Sequence, residues 1–170
     1  MFTDLAHGQP HRVPEPQLSR PTGATLFDAV LFDRDGTLII DVPYNGDPSR
    51  VEPVPGARAA LDRLRAAGLR LAVVSDIHVD VRPAFAAASL AGVVDVFTLS
   101  FELGAQKPDP RVFTATLDAL GVQPHEALMV GDRCRPDGGA VECGVPTLLL
   151  PPLTAPDDRR LHHVLALCGA

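Results

Sequence analysis

The stretch Ala29–Leu38 reads AVLFDRDGTL and joins a short apolar run to a polar loop. The run Ala29–Phe32 has the length and composition of a strand that is buried on both faces. Two carboxylates, Asp33 and Asp35, follow it at once, and Gly36 allows a sharp turn behind them. We therefore predict a buried strand that ends in an acidic turn.

The rest of the chain repeats short apolar runs separated by amphipathic stretches. A proline start and a glycine stop, Pro55 and Gly68, bound one predicted helix, and Asp109 and Gly121 bound another. Strands that alternate with helices favour an α/β fold, a Rossmann-like doubly wound parallel sheet in a single domain. The other predicted strands are Leu69–Val74, Val94–Leu99, Ala127–Val130 and Thr147–Leu150, and the other predicted helices are Val81–Leu90 and Asp157–Leu167.

Composition excludes several classes of protein. A chain of 170 residues that is 46% apolar and 21% charged can bury one sizeable core. The net charge of −6 argues against a nucleic-acid partner. No apolar run approaches the roughly 18 residues that a membrane span needs, so no membrane partner is expected.

The N-terminal residues and the cysteines bear on where the protein is located. Residues 1–25 hold four prolines among polar residues and no apolar signal core, so we predict a flexible, Pro-rich leader followed by one domain at 26–170. The three cysteines, Cys134, Cys143 and Cys168, lack metal-type spacing and are an odd count. Reduced thiols indicate a cytoplasmic protein.

Polar residues follow the apolar runs at four places. Asp33 follows the first run, Ser75 the second and Asp132 the fourth, with Asp137 shortly after, and a polar loop carries Lys107. Ligands of a parallel α/β sheet bind beyond the carboxyl ends of its strands, so these side chains should converge on one edge. Of the 15 basic residues, only Lys107 is a lysine.

The residue types at this edge fit a phosphoryl group and a metal ion. Asp33, Asp35 and Asp132 make a hard, oxygen-only set of ligands that suits Mg²⁺. A divalent cation also removes the repulsion among crowded carboxylates. Lys107 supplies a compact ammonium to a phosphoryl group, and Ser75 supplies a hydroxyl donor.

These motifs resemble, in order, the four motifs of the haloacid dehalogenase superfamily. Asp33 opens a D-x-D-G-T string, Ser75 follows the second strand, Lys107 is the third motif and Asp132 lies in a G-D-x-x-x-x-D string. The resemblance runs from Val30 to about Pro151. It implies the superfamily's α/β fold and hydrolase activity.

The resemblance implies a Mg²⁺-dependent phosphatase acting on a phosphate monoester. Asp33 would attack phosphorus and form an aspartyl-phosphate. Asp35 would protonate the leaving oxygen and later take a proton from water. Lys107 and Ser75 would stabilise the transferring phosphoryl group. An acid at Asp35 favours a phosphatase over a dehalogenase, since members that cleave carbon–halogen bonds lack it.

The resemblance also implies how magnesium is held. The ligands would be Asp33, the main-chain carbonyl of Asp35, and Asp132. Asp137 would contact these ligands without binding the ion directly, or would reach the ion through a water molecule.

The intervals between the motifs are short for this superfamily, whose members usually carry a cap domain. Only the loop Ile39–Val54 remains between the first strand and the first helix, so we predict a member without a cap. Its open site is compatible with a large phosphorylated substrate or with several substrates, and the expected partner is a small-molecule phosphorylated substrate. The predicted substrate-binding residues are Ser75, Asp76, Lys107 and Arg133. Asp76 is expected to disfavour highly anionic substrates.

Three other functions stay open from the sequence. A phosphotransferase or a phosphate-binding module without turnover could use the same residues. The string Asp76-Ile77-His78 also resembles the opening of calcineurin-like metallophosphoesterases, although their later Gly-Asn-His-Asp and Gly-His-x-His blocks are absent. The oligomeric state is undetermined.

Overall fold

The computed structural model describes residues 25–41, 51–151, 153 and 159–170. The predicted leader at residues 1–25 lies outside this part of the chain except for Thr25. The first residues of the helix predicted at Asp157–Leu167 lie outside it as well.

A parallel sheet of five strands forms the centre of the fold. Its strands are β1 (Ala29–Phe32), β2 (Arg70–Ser75), β3 (Val96–Leu99), β4 (Ala127–Gly131) and β5 (Thr147–Leu149). The order across the sheet is β3-β2-β1-β4-β5, which places β1 in the middle. Leu31 of β1 is in register with Ala72 of β2 and with Met129 of β4. The predicted doubly wound α/β fold is confirmed.

Each predicted strand is present, with small shifts at the ends. β3 begins later than the predicted Val94–Leu99 because Ala91–Val93 forms a 3₁₀ helix that leads into it. Ser75, which we placed after the second strand, is the last residue of β2.

The α-helices follow the local signals of the sequence. They are α1 (Ala57–Ala66), α2 (Arg82–Ala87), α3 (Ser100–Leu103), α4 (Pro110–Leu120) and α5 (His162–Cys168). The Asp109 carboxylate accepts the Arg111 N–H at the start of α4, and Gly121 takes a φ of +66° at its end. α2 is shorter than the predicted Val81–Leu90, since Ser89 adopts a φ of +60°. No described helix is both long enough and apolar enough to cross a membrane.

Two apolar clusters cover the two faces of the sheet. Along β1, Val30 and Phe32 pack into one cluster while Ala29 and Leu31 pack into the other. This alternation follows from the two-residue period of a strand. The first cluster includes residues of α1 and α5, and the second includes residues of α4. Burial on both sides fixes the register of the strands and therefore the position of their carboxyl ends.

The connections at the carboxyl edge are short. Residues 33–41 and 51–56 join β1 to α1 without a further helix or strand of three or more residues, and α2 with one 3₁₀ helix joins β2 to β3. The described part of the chain therefore holds no cap domain, as predicted. In the described part of the chain, no further helix or strand from the connection between β1 and α1 covers the edge where β1, β2 and β4 end.

Candidate active site

The acidic turn begins where β1 leaves the sheet. The Asp33 N–H donates to the Val130 carbonyl at 2.8 Å, so Asp33 still belongs to the strand ladder. Behind it, the Arg34 carbonyl accepts the N–H groups of Leu38 at 3.0 Å and Ile39 at 2.9 Å. These bonds close the turn and direct the carboxylates of the segment towards the open edge.

Gly36 is required in this turn for two reasons. Its φ is +71°, a conformation that favours glycine. A Cβ at this position would lie 2.2 Å from an oxygen of the Asp132 carboxylate, which follows β4. The absence of a side chain at Gly36 therefore lets the first and fourth motifs approach each other.

Lys107 lies between two carboxylates in the interior of the site. Its Nζ is 2.5 Å from Asp33 Oδ1 and 2.6 Å from Asp137 Oδ1. The Lys107 side chain is only 2% exposed and that of Asp137 is fully buried. The second Asp137 oxygen accepts the Arg133 N–H at 2.9 Å. Asp137 thus contacts Lys107 directly, and its predicted contact with a metal ion stays a prediction.

The electrostatic balance of this network is set by burial and by crowding of negative charge. Burial raises the pKa of Asp33 to about 7, and Lys107 opposes that rise while Asp137 and Asp132 add to it. Burial lowers the pKa of Lys107, but Asp33 and Asp137 together raise it above its ordinary value. The lysine is therefore a fixed cation at neutral pH.

Three aspartates form a group that could hold a metal ion. Carboxylate oxygens of Asp33, Asp132 and Asp137 all lie within 4.8 Å of one another. Among the described residues, Asp132 Oδ1 is buried without a hydrogen-bond partner. Burial also raises the pKa of Asp132. An unpartnered oxygen in a crowded, oxygen-only set fits Mg²⁺, which would neutralise the repulsion.

A small pocket opens onto this network from the solvent. The residues that line it are Asp33, Asp35, Ser75, Asp76, Lys107, Arg133 and Pro136. All four predicted catalytic residues and all four predicted substrate-binding residues are therefore in one pocket, although their roles stay predictions. Two of these residues differ in their surroundings. Ser75 is buried, whereas 56% of the Arg133 side chain is exposed. The Arg133 guanidinium lies 3.5 Å from Asp41 Oδ2.

Asp35, the predicted acid, lines the pocket and pairs with its neighbour. The Arg34 guanidinium donates to Asp35 Oδ2, and both side chains are partly buried. The guanidinium limits where the Asp35 carboxylate can point.

Sequence reasoning missed two contributions to this site. Asp76 lines the pocket as expected, but its Oδ1 also accepts the main-chain N–H of Lys107 at 2.9 Å. Arg160, which precedes α5, is buried, and its charge opposes the rise in the pKa of Asp132. Neither interaction has a local signal in the sequence, because each acts between segments far apart in the chain.

The geometry can be compared with known proteins. A family model of haloacid dehalogenase-like hydrolases matches residues 44–142, more than half of the 170-residue chain. The chain belongs to the haloacid dehalogenase-like hydrolase family. The resemblance drawn from the motifs is confirmed. The matched residues include Ser75, Lys107 and Asp132, whereas Asp33 and Asp35 precede them.

Relatives of this haloacid dehalogenase-like hydrolase include a phosphatase and a dehalogenase. It is 39% identical to a phosphoserine phosphatase of Thermus thermophilus over 106 residues, 61% of this chain and 43% of the relative. It is 33% identical to the (S)-2-haloacid dehalogenase 4A of Burkholderia cepacia over 95 residues, 55% of this chain and 41% of the relative. The chain thus spans less than half the length of these curated relatives.

A solved structure shows the same fold. The crystal structure of a HAD phosphatase from Thermococcus onnurineus matches with a TM-score of 0.69 at 21% identity, covering 84% of this chain and 98% of that one.

Proposed function

We propose that this haloacid dehalogenase-like hydrolase is a cytoplasmic, Mg²⁺-dependent phosphatase that hydrolyses a phosphate monoester of a small molecule. The observation that carries the proposal is the buried contact of Lys107 Nζ with Asp33 and Asp137, inside a pocket that Asp35 and Ser75 also line. A nucleophile, an acid and a fixed cation around a small pocket are the parts that phosphoryl transfer needs.

The proposed reaction has two steps. Asp33 attacks phosphorus, the bond from phosphorus to the ester oxygen breaks, and Asp35 gives that oxygen a proton. A water molecule then attacks phosphorus, Asp35 takes its proton, and inorganic phosphate leaves Asp33. Lys107 and Ser75 hold the phosphoryl oxygens in both steps.

The groups that would hold Mg²⁺ are Asp33, the main-chain carbonyl of Asp35, and Asp132. Asp137 would contact these ligands or reach the ion through a water molecule. The unpartnered oxygen of Asp132 supports this assignment. When bound, the ion offsets negative charge on the carboxylates and on the phosphoryl group.

The position of Asp35 supports a phosphatase over the dehalogenase activity that one relative carries. Its carboxylate lines the pocket next to Asp33, where a leaving ester oxygen needs a proton. A halide leaves without one. The pocket is open, and the exposed Arg133 beside it could meet a second anionic group of the substrate.

A screen of phosphorylated metabolites with Mg²⁺, read as released phosphate, tests this function. Steady-state release that a chelator abolishes is the expected result. Binding of phosphate without release on any substrate would indicate a binding module instead, and diversion of phosphate to an added alcohol would indicate a phosphotransferase. The calcineurin-like alternative is overturned by the match to the haloacid dehalogenase-like hydrolase model.

A further inference from the structure

Asp76 occupies the junction between the sheet and the loop that carries the lysine. It comes directly after Ser75, the end of β2, and its residue is exposed at the rim of the pocket. Its Oδ1 accepts the main-chain N–H of Lys107 at 2.9 Å. This bond connects the segment after the second motif to the third motif, since Asp76 and Lys107 are 31 residues apart in the chain.

The segment that carries Asp76 is itself firmly held. The Ser100 hydroxyl lies 2.8 Å from both the N–H and the carbonyl oxygen of Ile77. The Phe101 N–H donates to the same carbonyl at 3.1 Å. Asp76 thus directly follows β2, and its neighbour Ile77 is bonded to the residues that directly follow β3.

Lys107, by contrast, belongs to a loop. It lies between α3 and α4, outside any helix or strand. Its ammonium reaches Asp33 and Asp137 at the far end of a four-carbon chain, so the position of Nζ depends on where its main chain is held. The Asp76 carboxylate supplies such a restraint directly at the Lys107 amide.

We propose that Asp76 is a positioning residue for Lys107, acting through the main-chain amide of the lysine. The inference deepens the proposed function and rests on it for the catalytic consequence. Positioning needs an acceptor oxygen and not a negative charge. Asparagine can therefore replace Asp76, whereas alanine cannot.

The first test does not depend on turnover. Lys107 is the only lysine, so its acylation by acetic anhydride can be followed by peptide mass without ambiguity. Asp76→Ala should raise the labelling rate by roughly fivefold, the change that loss of one net hydrogen bond allows. Asp76→Asn should label like the parent. Equal labelling of the parent and Asp76→Ala would overturn the inference.

A matched control is present four residues further along. Asp80 Oδ1 also accepts a main-chain N–H, from Arg82 at 3.0 Å, and this exposed aspartate is not among the described residues that line the pocket. Asp80→Ala removes the same charge and the same kind of bond, and it should leave Lys107 labelling unchanged. If Asp80→Ala accelerated labelling as much as Asp76→Ala, a general loosening would explain both and the inference would fail.

Kinetics give the second test. Asp76→Ala should lower kcat by about tenfold to a hundredfold, because small displacements of a catalytic group are costly. Asp76→Asn should keep kcat within about threefold and lower KM for anionic substrates, since it removes a negative charge from the pocket rim. A kcat for Asp76→Ala equal to that of the parent would also overturn the inference.

The labelling and kinetic tests distinguish a failure of the proposed function from a failure of the positioning role of Asp76. A parent protein that releases no phosphate contradicts the proposed function, and the labelling experiment still decides whether Asp76 positions Lys107. Thermal unfolding of Asp76→Ala close to that of the parent confirms that the measured effects are local.

Discussion

Lys107 and the exposed arginines form ion pairs in opposite surroundings. The Lys107 side chain is 2% exposed and contacts Asp33 and Asp137 in the interior of the site. Arg58 pairs with Asp62 on the surface of α1, where the two side chains are 49% and 48% exposed. Among the described residues, the same attraction between opposite charges thus occurs both in the buried interior of the site and on the exposed surface.

The difference indicates which pairs serve the fold and which serve the site. Exposed pairs add little to stability because water screens them. A buried pair must lose its hydration, and the attraction between its charges often fails to offset that loss. The raised pKa of Asp33 shows that the network disfavours its own negative charge. Stability alone does not account for the buried lysine, whereas the proposed phosphoryl chemistry does.

The largest expected effect is a loss of activity when the buried Asp33 is changed. Asp33→Asn should lower phosphate release from p-nitrophenyl phosphate with Mg²⁺ by at least about 10³-fold, because the nucleophile is lost. Asp62→Asn changes an exposed aspartate in the same way and should keep parent activity. Parent-level turnover by Asp33→Asn would remove the nucleophile assignment.

The next largest effect is expected for Lys107→Arg, whose kcat tests whether the site needs a lysine or only a positive charge. Lys107→Arg should lower kcat by about a hundredfold while the fold survives, since a longer, planar guanidinium is a poor match for a buried point charge. Arg111→Lys, on the exposed pair with Asp109, is the matched control and should keep parent kinetics. Near-parent activity of Lys107→Arg would show that the single lysine is an accident of composition.

A third prediction concerns the stability of the protein freed of divalent cations by a chelator. The pKa of Asp33 is raised by burial from 3.8 to about 7, so the folded state holds this proton more tightly than the unfolded chain. The stability that Asp33 contributes is present below pH 3.8 and is lost as the pH rises towards 7. Asp33→Asn should therefore unfold several degrees above the parent at pH 8.

The same pair of proteins should unfold at similar temperatures near pH 4, where Asp33 is protonated in the folded state. Thermal unfolding followed by circular dichroism at both pH values checks this. A metal-free Asp33→Asn that unfolds below the parent at pH 8 would mean that the buried ion pair is a net source of stability.

The smallest effect is expected on the Tm when an exposed ion pair is broken. Arg82→Gln breaks a pair with Glu102 whose side chains are about as exposed as the Arg58 pair. It should shift Tm by no more than about 2 °C, since exposed ion pairs contribute little. A larger loss would show that the surface pairs hold the fold and would weaken the contrast with Lys107.

The sequence predicted those parts of the site that depend on strand ends. Asp33 follows β1 and a loop carries Lys107, 74 residues away, yet both were assigned to the edge where the ligands of a parallel sheet bind. The apolar runs predicted the five strands of the sheet, and Asp109 and Gly121 predicted where α4 begins and ends. These features follow from local pattern and from the topology of a doubly wound sheet.

The parts that could not be predicted are contacts between loops. The bonds from Lys107 to Asp137 and from its amide to Asp76 depend on how the segments after β2 and β4 fold back onto the lysine. Likewise, nothing in the sequence around Arg160 indicates that its charge acts on Asp132. Residue spacing alone carries no information about such approaches.

The central claim is that Asp33 carries the phosphoryl group during turnover. It is tested most directly by quenching the protein with acid during steady-state hydrolysis with Mg²⁺, and by weighing the peptide that contains Asp33. We predict that this peptide gains the mass of one phosphoryl group in the parent and not in Asp33→Asn. Rapid turnover without a phosphorylated Asp33 peptide, or with the phosphoryl group on another residue, would contradict the account.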